Sequence, residues 1–234
     1  MALAEVAGGS ADDDGPRTRT AERALRVLSA VALATDRPTL GAVAAEAGLP
    51  LSTTSRLLRT LEREAFVGRA ADGRYWPGSR LLQVGARAIG GLPVAVLAGP
   101  HLEALAAATG ETAYLLVPGE PGQGVYVGQL QSESSIRHAE WLGRAIPLEG
   151  TAAGAALAGD LADGGYALNR GAVEPDTATA AAPVVDVLGR RVAVLSVIAP
   201  AYRVDEAELH RIGRLVAAAA TELSSQLGGV PAEG

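Results

Sequence analysis

Residues 39–64, TLGAVAAEAGLPLSTTSRLLRTLERE, hold two apolar repeats of helical period separated by a glycine. Leu40, Val43, Ala44 and Ala47 recur at the spacing that places them on one side of a helix, and that stripe has to be buried. Gly48 tolerates the positive φ that ends such a helix. Thr54, Leu57, Leu58 and Leu61 then repeat the period, which turns Ser52, Thr53, Ser55, Arg56, Arg59 and Arg63 away from the core. The pair predicts a helix-turn-helix whose second helix offers guanidiniums and hydroxyls suited to phosphates and base edges. A solvated amphipathic helix is the plainer reading of the same face.

The segment that follows, FVGRAADGRYWPG, contains two short runs around Asp72-Gly73, a dipeptide that closes tight hairpins. A basic hairpin after a helix-turn-helix is a wing. Arg69 and Arg74 flank its turn, where an arginine enters a minor groove or clamps a phosphate; a plain surface hairpin is the lesser alternative. Charge separates along the chain in the same sense. Residues 16–80 hold 11 Arg against 6 acidic residues, whereas residues 81–234 hold 9 Arg against 16. An overall pI near 5.2 therefore hides a basic module that duplex phosphates attract, beside an acidic remainder that they repel.

The 234 residues suffice for two small domains, each with its own core, and no apolar run approaches the roughly 20 residues of a membrane helix. MALAEVAGGSADDDG reads as a disordered acidic tail rather than a signal peptide. Absence of cysteine removes disulfides and thiolate metal sites and fits a cytoplasmic protein. All 20 basic residues are arginine, which removes a P-loop lysine and Schiff-base chemistry. His101, His138 and His210 lie far apart, and neither a nucleophile elbow nor a metalloprotease motif is present, so no enzyme, metal or cofactor is expected. Gly122-Gln123-Gly124 lacks dinucleotide-binding spacing and reads as a hairpin loop.

Downstream of the wing, Leu81, Leu82, Val84 and Ile89 predict a linker helix ending at Gly90-Gly91. Val94, Leu97, His101, Leu102 and Leu105 predict one further helix over 94–109, closed by Gly110. The period then changes to two. TAYLLVP, GVYVGQLQ, SIRHAEW, TATAAAPVVDV and RRVAVLSVIAP read as five strands, and residues 205–227 as a closing helix. The expected fold class is α+β: a tail over 1–16, a winged helix-turn-helix over 17–78, a linker over 79–91, a second domain over 92–229 and a short tail over 230–234.

The chain resembles the IclR family of bacterial transcription regulators. RALRVL (23–28), GLPLSTTSRLLRTL (48–61), DGRYWPG (72–78), GETAYL (110–115), GRAIPLEGTAAGAALA (143–158) and GGYALNRGAVEPDTATAAAPV (164–184) carry the resemblance, in order, from Arg17 onward. It implies a winged-helix DNA-binding domain, a GAF-like effector-binding domain, and dimers or tetramers acting on operators near metabolic genes. Onto the DNA side it carries Ser52, Thr53, Thr54, Ser55, Arg56 and Arg59, to which Arg69, Arg74, Arg19 and Arg23 are added. Leu51 and Ser55 stand where the family often has Lys and His. Glu149 and Ala155 replace a His and a Lys of the effector-domain motif, Ala172 replaces an acidic residue, and only residues 160–163 stand where the family usually has a longer insertion.

On the effector side, the resemblance places a pocket between a concave sheet and a helix over 150–159, with Glu149 at its mouth. Gly150 and Thr151 would present helix-start N–H groups to an anionic or polar ligand group. Trp141, Tyr114 and Tyr126 would stack on a ring, Arg137 or Arg144 would meet a carboxylate, and Gly143 borders them. The ligand expected is an aromatic or short-chain acid or derivative, and the operator an inverted repeat with half-sites roughly 34 Å apart or a multiple of that. Two alternatives stay open: a regulator whose second domain only dimerises, and an enzyme using Glu149 as a general acid or base.

Overall fold

A computed structural model describes residues 16–133, 138 and 140–229, with side chains from residue 19. It divides into two compact units, Met1–Ala86 and Arg87–Gly234. The tails expected at residues 1–15 and 230–234 lie outside the described residues; Pro16, expected to end the first tail, opens a helix.

The first unit runs α1 (Pro16–Ala32), α2 (Leu40–Ala47), α3 (Leu51–Arg63) and a hairpin of β1 (Val67–Arg69) and β2 (Tyr75–Pro77). The helix α4 (Ser79–Gly90) then carries the chain across the division. Thr39 caps α2 by accepting from the Ala42 N–H at 3.3 Å, and Gly48, at φ +62°, ends it in the left-handed region. Val43, Ala44 and Ala47 are buried as their period requires, with Leu40 partly covered. Leu57 and Leu58 of α3 meet Val27, Val31, Val43, Val67 and Tyr75 in one core. The antiparallel register Gly68↔Trp76 fixes the hairpin expected around Asp72-Gly73.

The second unit holds α5 (Pro93–Leu97), α6 (Gly99–Thr109), β3 (Thr112–Pro118), β4 (Gln123–Leu130), β5 (Ala145–Pro147), α7 (Ala152–Ala158), β6 (Ala167–Arg170), β7 (Thr177–Val185), β8 (Arg191–Pro200) and α8 (Glu206–Gln226). The six strands form one antiparallel sheet in the order β5-β4-β3-β8-β7-β6. Alternation along the strands divides the side chains between two faces. Ala113, Leu115, Ala180, Leu195 and Val197 pack with Leu102, Leu105, Ile212, Val216 and Leu223 of α6 and α8. Tyr114, Leu116, Tyr126, Val194 and Ile198 pack beneath Ala152, Ala153 and Ala156 of α7. Helices on both faces leave β8 buried on both sides from Ala193 to Ala199.

Three expectations need correction. The helix expected over 94–109 is two, because Gly99-Pro100 restarts it after Ala98. Among the described residues of SIRHAEW, His138, Glu140 and Trp141 belong to no strand; the edge strand beside β4 is Ala145–Pro147 instead. The Trp141 and Leu142 N–H groups donate to the Gln129 Oε1 at 2.9 and 3.1 Å, which replaces a ladder bond at that place. β6 is a further strand that the local pattern did not announce.

Candidate functional site

The first candidate surface is the outward side of α3. Ser52, Arg56 and Arg59 are exposed, and Thr53 and Ser55 are half-buried. The Arg56 and Arg59 guanidiniums have no hydrogen-bond or ion-pair partner among the described residues. Thr54 is wholly buried and donates to the Pro50 carbonyl at 3.1 Å, which removes it from the DNA-facing set. Pro50 brings no capping side chain to α3, so the N–H groups of its first turn stay available to a phosphate.

In the wing, the Arg69 guanidinium lies over the Tyr75 ring, 5.6 Å from its centroid. Arg74 donates to the Arg37 carbonyl at 2.9 Å and stands 3.7 Å from the Asp72 carboxylate. Arg37, in the loop before α2, stacks over Trp76 of the wing at 5.0 Å; the sequence reading missed it because a lone arginine before Pro38 has no spacing to mark it. Arg19 and Arg23 are exposed on α1, one turn apart.

The second candidate is a cavity between α7 and the sheet. It is lined by Tyr126, Trp141, Ile146, Thr151, Ala152, Ala153, Asn169, Ala172, Val173, Thr177, Thr179, Ser196 and Ile198. Its volume of about 20 Å³ is enough for one water, far below the several hundred Å³ of a typical ligand pocket. Two polar atoms of its lining residues, Ser196 Oγ and Trp141 Nε1, are buried without a hydrogen-bond partner among the described residues. An orphaned group of that kind costs about 1–3 kcal/mol unless water or ligand meets it. The Thr151 hydroxyl is already engaged, donating to the Leu148 carbonyl at 2.8 Å and accepting from the Gly154 N–H at 3.0 Å. Asn169 is engaged likewise with the Gly150 carbonyl and the Ala172 N–H.

Of the residues expected to meet an effector, Trp141, Tyr126 and Thr151 line the cavity. Tyr114 lies behind them, fully buried, its hydroxyl 2.5 Å from His138 Nδ1. Glu149 and Gly150 are exposed on the turn entering α7, outside the cavity lining, and Gly143 is exposed at φ +81°. Arg144 stacks its guanidinium on Trp141 at 4.3 Å and stands 3.4 Å from the Glu174 carboxylate. Arg137 lies outside the described residues.

Burial pushes the Tyr114 and Tyr126 phenols above their ordinary range and keeps both neutral. It also lowers His138, although Glu174 Oε2 at 3.3 Å pulls the other way. The cavity wall that sequence reasoning missed is Thr177, Thr179 and Ser196. A signal for it exists: the Thr-Ala-Thr-Ala start of β7 puts both threonines on one face, and Ser196 interrupts the apolar run of β8.

Residues 20–70 match the IclR helix-turn-helix domain, and residues 86–164 and 159–225 match the C-terminal domain of the bacterial transcriptional regulator IclR. The chain belongs to the IclR family. IclR-type relatives include the HTH-type transcriptional repressor AllR of Escherichia coli K12, 32% identical over 143 residues, which are 61% of this chain and 52% of AllR. The chain thus spans about half the length of the curated relatives it matches. Among solved structures, the IclR regulator of Alicyclobacillus acidocaldarius shares its fold with a TM-score of 0.75 and 24% identity, over 90% of this chain and 99% of that one. An IclR homologue of Microbacterium hydrocarbonoxydans, crystallised with 4-hydroxybenzoate, superposes with a TM-score of 0.73 at 20% identity, over 89% and 98% of the two chains.

Proposed function

We propose that this IclR-family chain is a DNA-binding repressor of a metabolic operon, controlled by a small organic effector that occupies the cavity beneath α7. A cytoplasmic homodimer or tetramer would set two α3 helices into successive major grooves of an inverted-repeat operator, with the wings on the flanking backbone. The observation that carries this reading is the pair of guanidiniums, Arg56 and Arg59, without a partner among the described residues on the face of α3 that its core contacts leave open. The name of the AllR relative supports repression, and the 4-hydroxybenzoate bound to the Microbacterium homologue supports an effector. For coupling, the effector must bind one arrangement of the DNA heads better than another, since equal affinity shifts nothing.

Operator binding tests the reading. With a promoter fragment from its own locus, the protein should bind with an affinity that falls steeply as salt rises. Arg56→Ala should cost about 1–3 kcal/mol, roughly 5- to 150-fold, concentrated on one base position. A smaller loss, equal on every sequence, would reassign Arg56 to a phosphate, and salt-insensitive or absent binding would end the proposal. The near-closed cavity favours a second reading, in which the second unit only dimerises. Aromatic and short-chain acids or their derivatives that raise the melting temperature would argue against that rival.

A further inference from the structure

We infer that Leu51, the first residue of α3, is a specificity-determining residue that packs on a thymine 5-methyl group in the major groove, so that one base pair of each operator half-site is read by apolar contact. The inference rests on the DNA-binding reading of α3 and names a base feature that this chain's own side chain selects. Leu51 is 56% exposed and is not among the side chains of the first unit's core. The other exposed residues of α3, namely Ser52, Arg56, Arg59, Thr60, Glu62 and Arg63, are all polar or charged. Burying a leucine is favourable, yet this one is left in water.

The backbone on either side keeps it there. Before it, Leu49 packs against the core and its N–H donates to the Ala44 carbonyl at 3.0 Å. After it, the Thr54 N–H and hydroxyl both donate to the Pro50 carbonyl, at 3.0 and 3.1 Å, and Thr54 is wholly buried. Turning Leu51 inward would unseat both. Single exposed leucines are ordinary on protein surfaces. Leu51 differs in its company: with Ser55, one turn on, it forms the row beside Ser52 and Arg56 at the start of the helix, where a recognition helix meets base edges. A leucine neither donates nor accepts a hydrogen bond. What it can select in the major groove is the thymine methyl, the apolar group on that edge. A cytosine in the same place would present an amino group whose water the leucine strips without replacing.

Deoxyuridine decides the matter, because it keeps the pairing with adenine and the O4 acceptor and lacks only the methyl. In the footprinted promoter fragment from the protein's own locus, each thymine is replaced in turn and binding of the full chain is measured. One thymine in each half-site should respond, the loss being about fourfold for one half-site and about fifteenfold for both, as expected for uncovering one methyl at each. Leu51→Ala should bind the natural fragment more weakly to a similar extent, should no longer distinguish thymine from deoxyuridine there, and should melt with the parent. Arg56→Ala, weaker throughout, should keep the distinction. Salt-sensitive binding that no deoxyuridine alters would sink the inference and leave the DNA-binding reading standing. A methyl effect undiminished in Leu51→Ala would move it to another side chain and overturn the inference. No binding to the fragment at all would remove the DNA-binding reading and the inference with it.

Discussion

Replacing Leu58 with alanine lowers the stability of the first unit by about 2–5 kcal/mol, the range for deleting a fully enclosed leucine side chain. Leu58 has no exposed surface and sits among Val27, Val31, Val43 and Val67. For a unit of this size the loss corresponds to a fall of roughly 10 °C or more in melting temperature. Operator binding vanishes with it above that lower midpoint, yet survives well below it, because the outward guanidiniums are untouched. Arg56→Ala has the opposite signature: weakened binding at every temperature with an unchanged melt, since the exposed Arg56 guanidinium has no hydrogen-bond or ion-pair partner among the described residues. Circular-dichroism melts beside binding measured at two temperatures separate the two effects. If Leu58→Ala melted with the parent, the inner side of α3 would not be the packing surface assigned to it.

That division of α3 into a core side and a reading side was legible in the sequence because a 3.6-residue period and a terminating glycine are local signals. The wing was legible for the same reason, through Asp72-Gly73. Failures came where distant contacts decide. Ala65 adopts φ +59°, where glycine would be expected, because the chain leaving α3 is tied down by bonds from the Gly78 N–H to Phe66 and from the Arg80 N–H to Ala65. The break between α5 and α6 was hidden by an unbroken apolar period, for Val94, Ala98, Leu102 and Leu105 all reach the same core across it. β5 and β6 are short edge strands set by their partners, Gln123–Val125 and Ala178–Ala181, and carry little pattern of their own. At the cavity, resemblance directed attention to Glu149, which is exposed on the turn before α7. The polar wall came instead from two threonines and a serine on the pleats of β7 and β8, residues that in a sequence look like ordinary sheet.

Gly154→Ala tests how the cavity roof is held, and its sign discriminates between two physical effects. Helix propensity alone would make alanine in α7 more stable than glycine by about 1 kcal/mol. A Cβ at this position, however, would fall inside the van der Waals shell of the Leu148 carbonyl oxygen. That oxygen cannot swing aside freely. It accepts from both the Thr151 N–H at 3.2 Å and the Thr151 hydroxyl at 2.8 Å, and the Leu148 N–H is itself bonded to the Gly122 carbonyl at 2.9 Å. Relief therefore requires lifting Ala152 and Ala153 of α7 away from Ile146 and loosening the Thr151 cap together. Overpacking costs about 1–3 kcal/mol and the loosened cap about 1 kcal/mol, so after the propensity gain of about 1 kcal/mol the variant is destabilised by roughly 2 kcal/mol. The loss should be local: faster hydrogen exchange over residues 152–158 and altered Trp141 emission, while the first unit stays protected. Thr151→Ala, which removes the cap and leaves the glycine, should cost only about 1 kcal/mol. An alanine variant as stable as the parent, or more so, would mean that α7 does not seat on the Leu148 carbonyl, and the closed cavity roof would have to be redrawn.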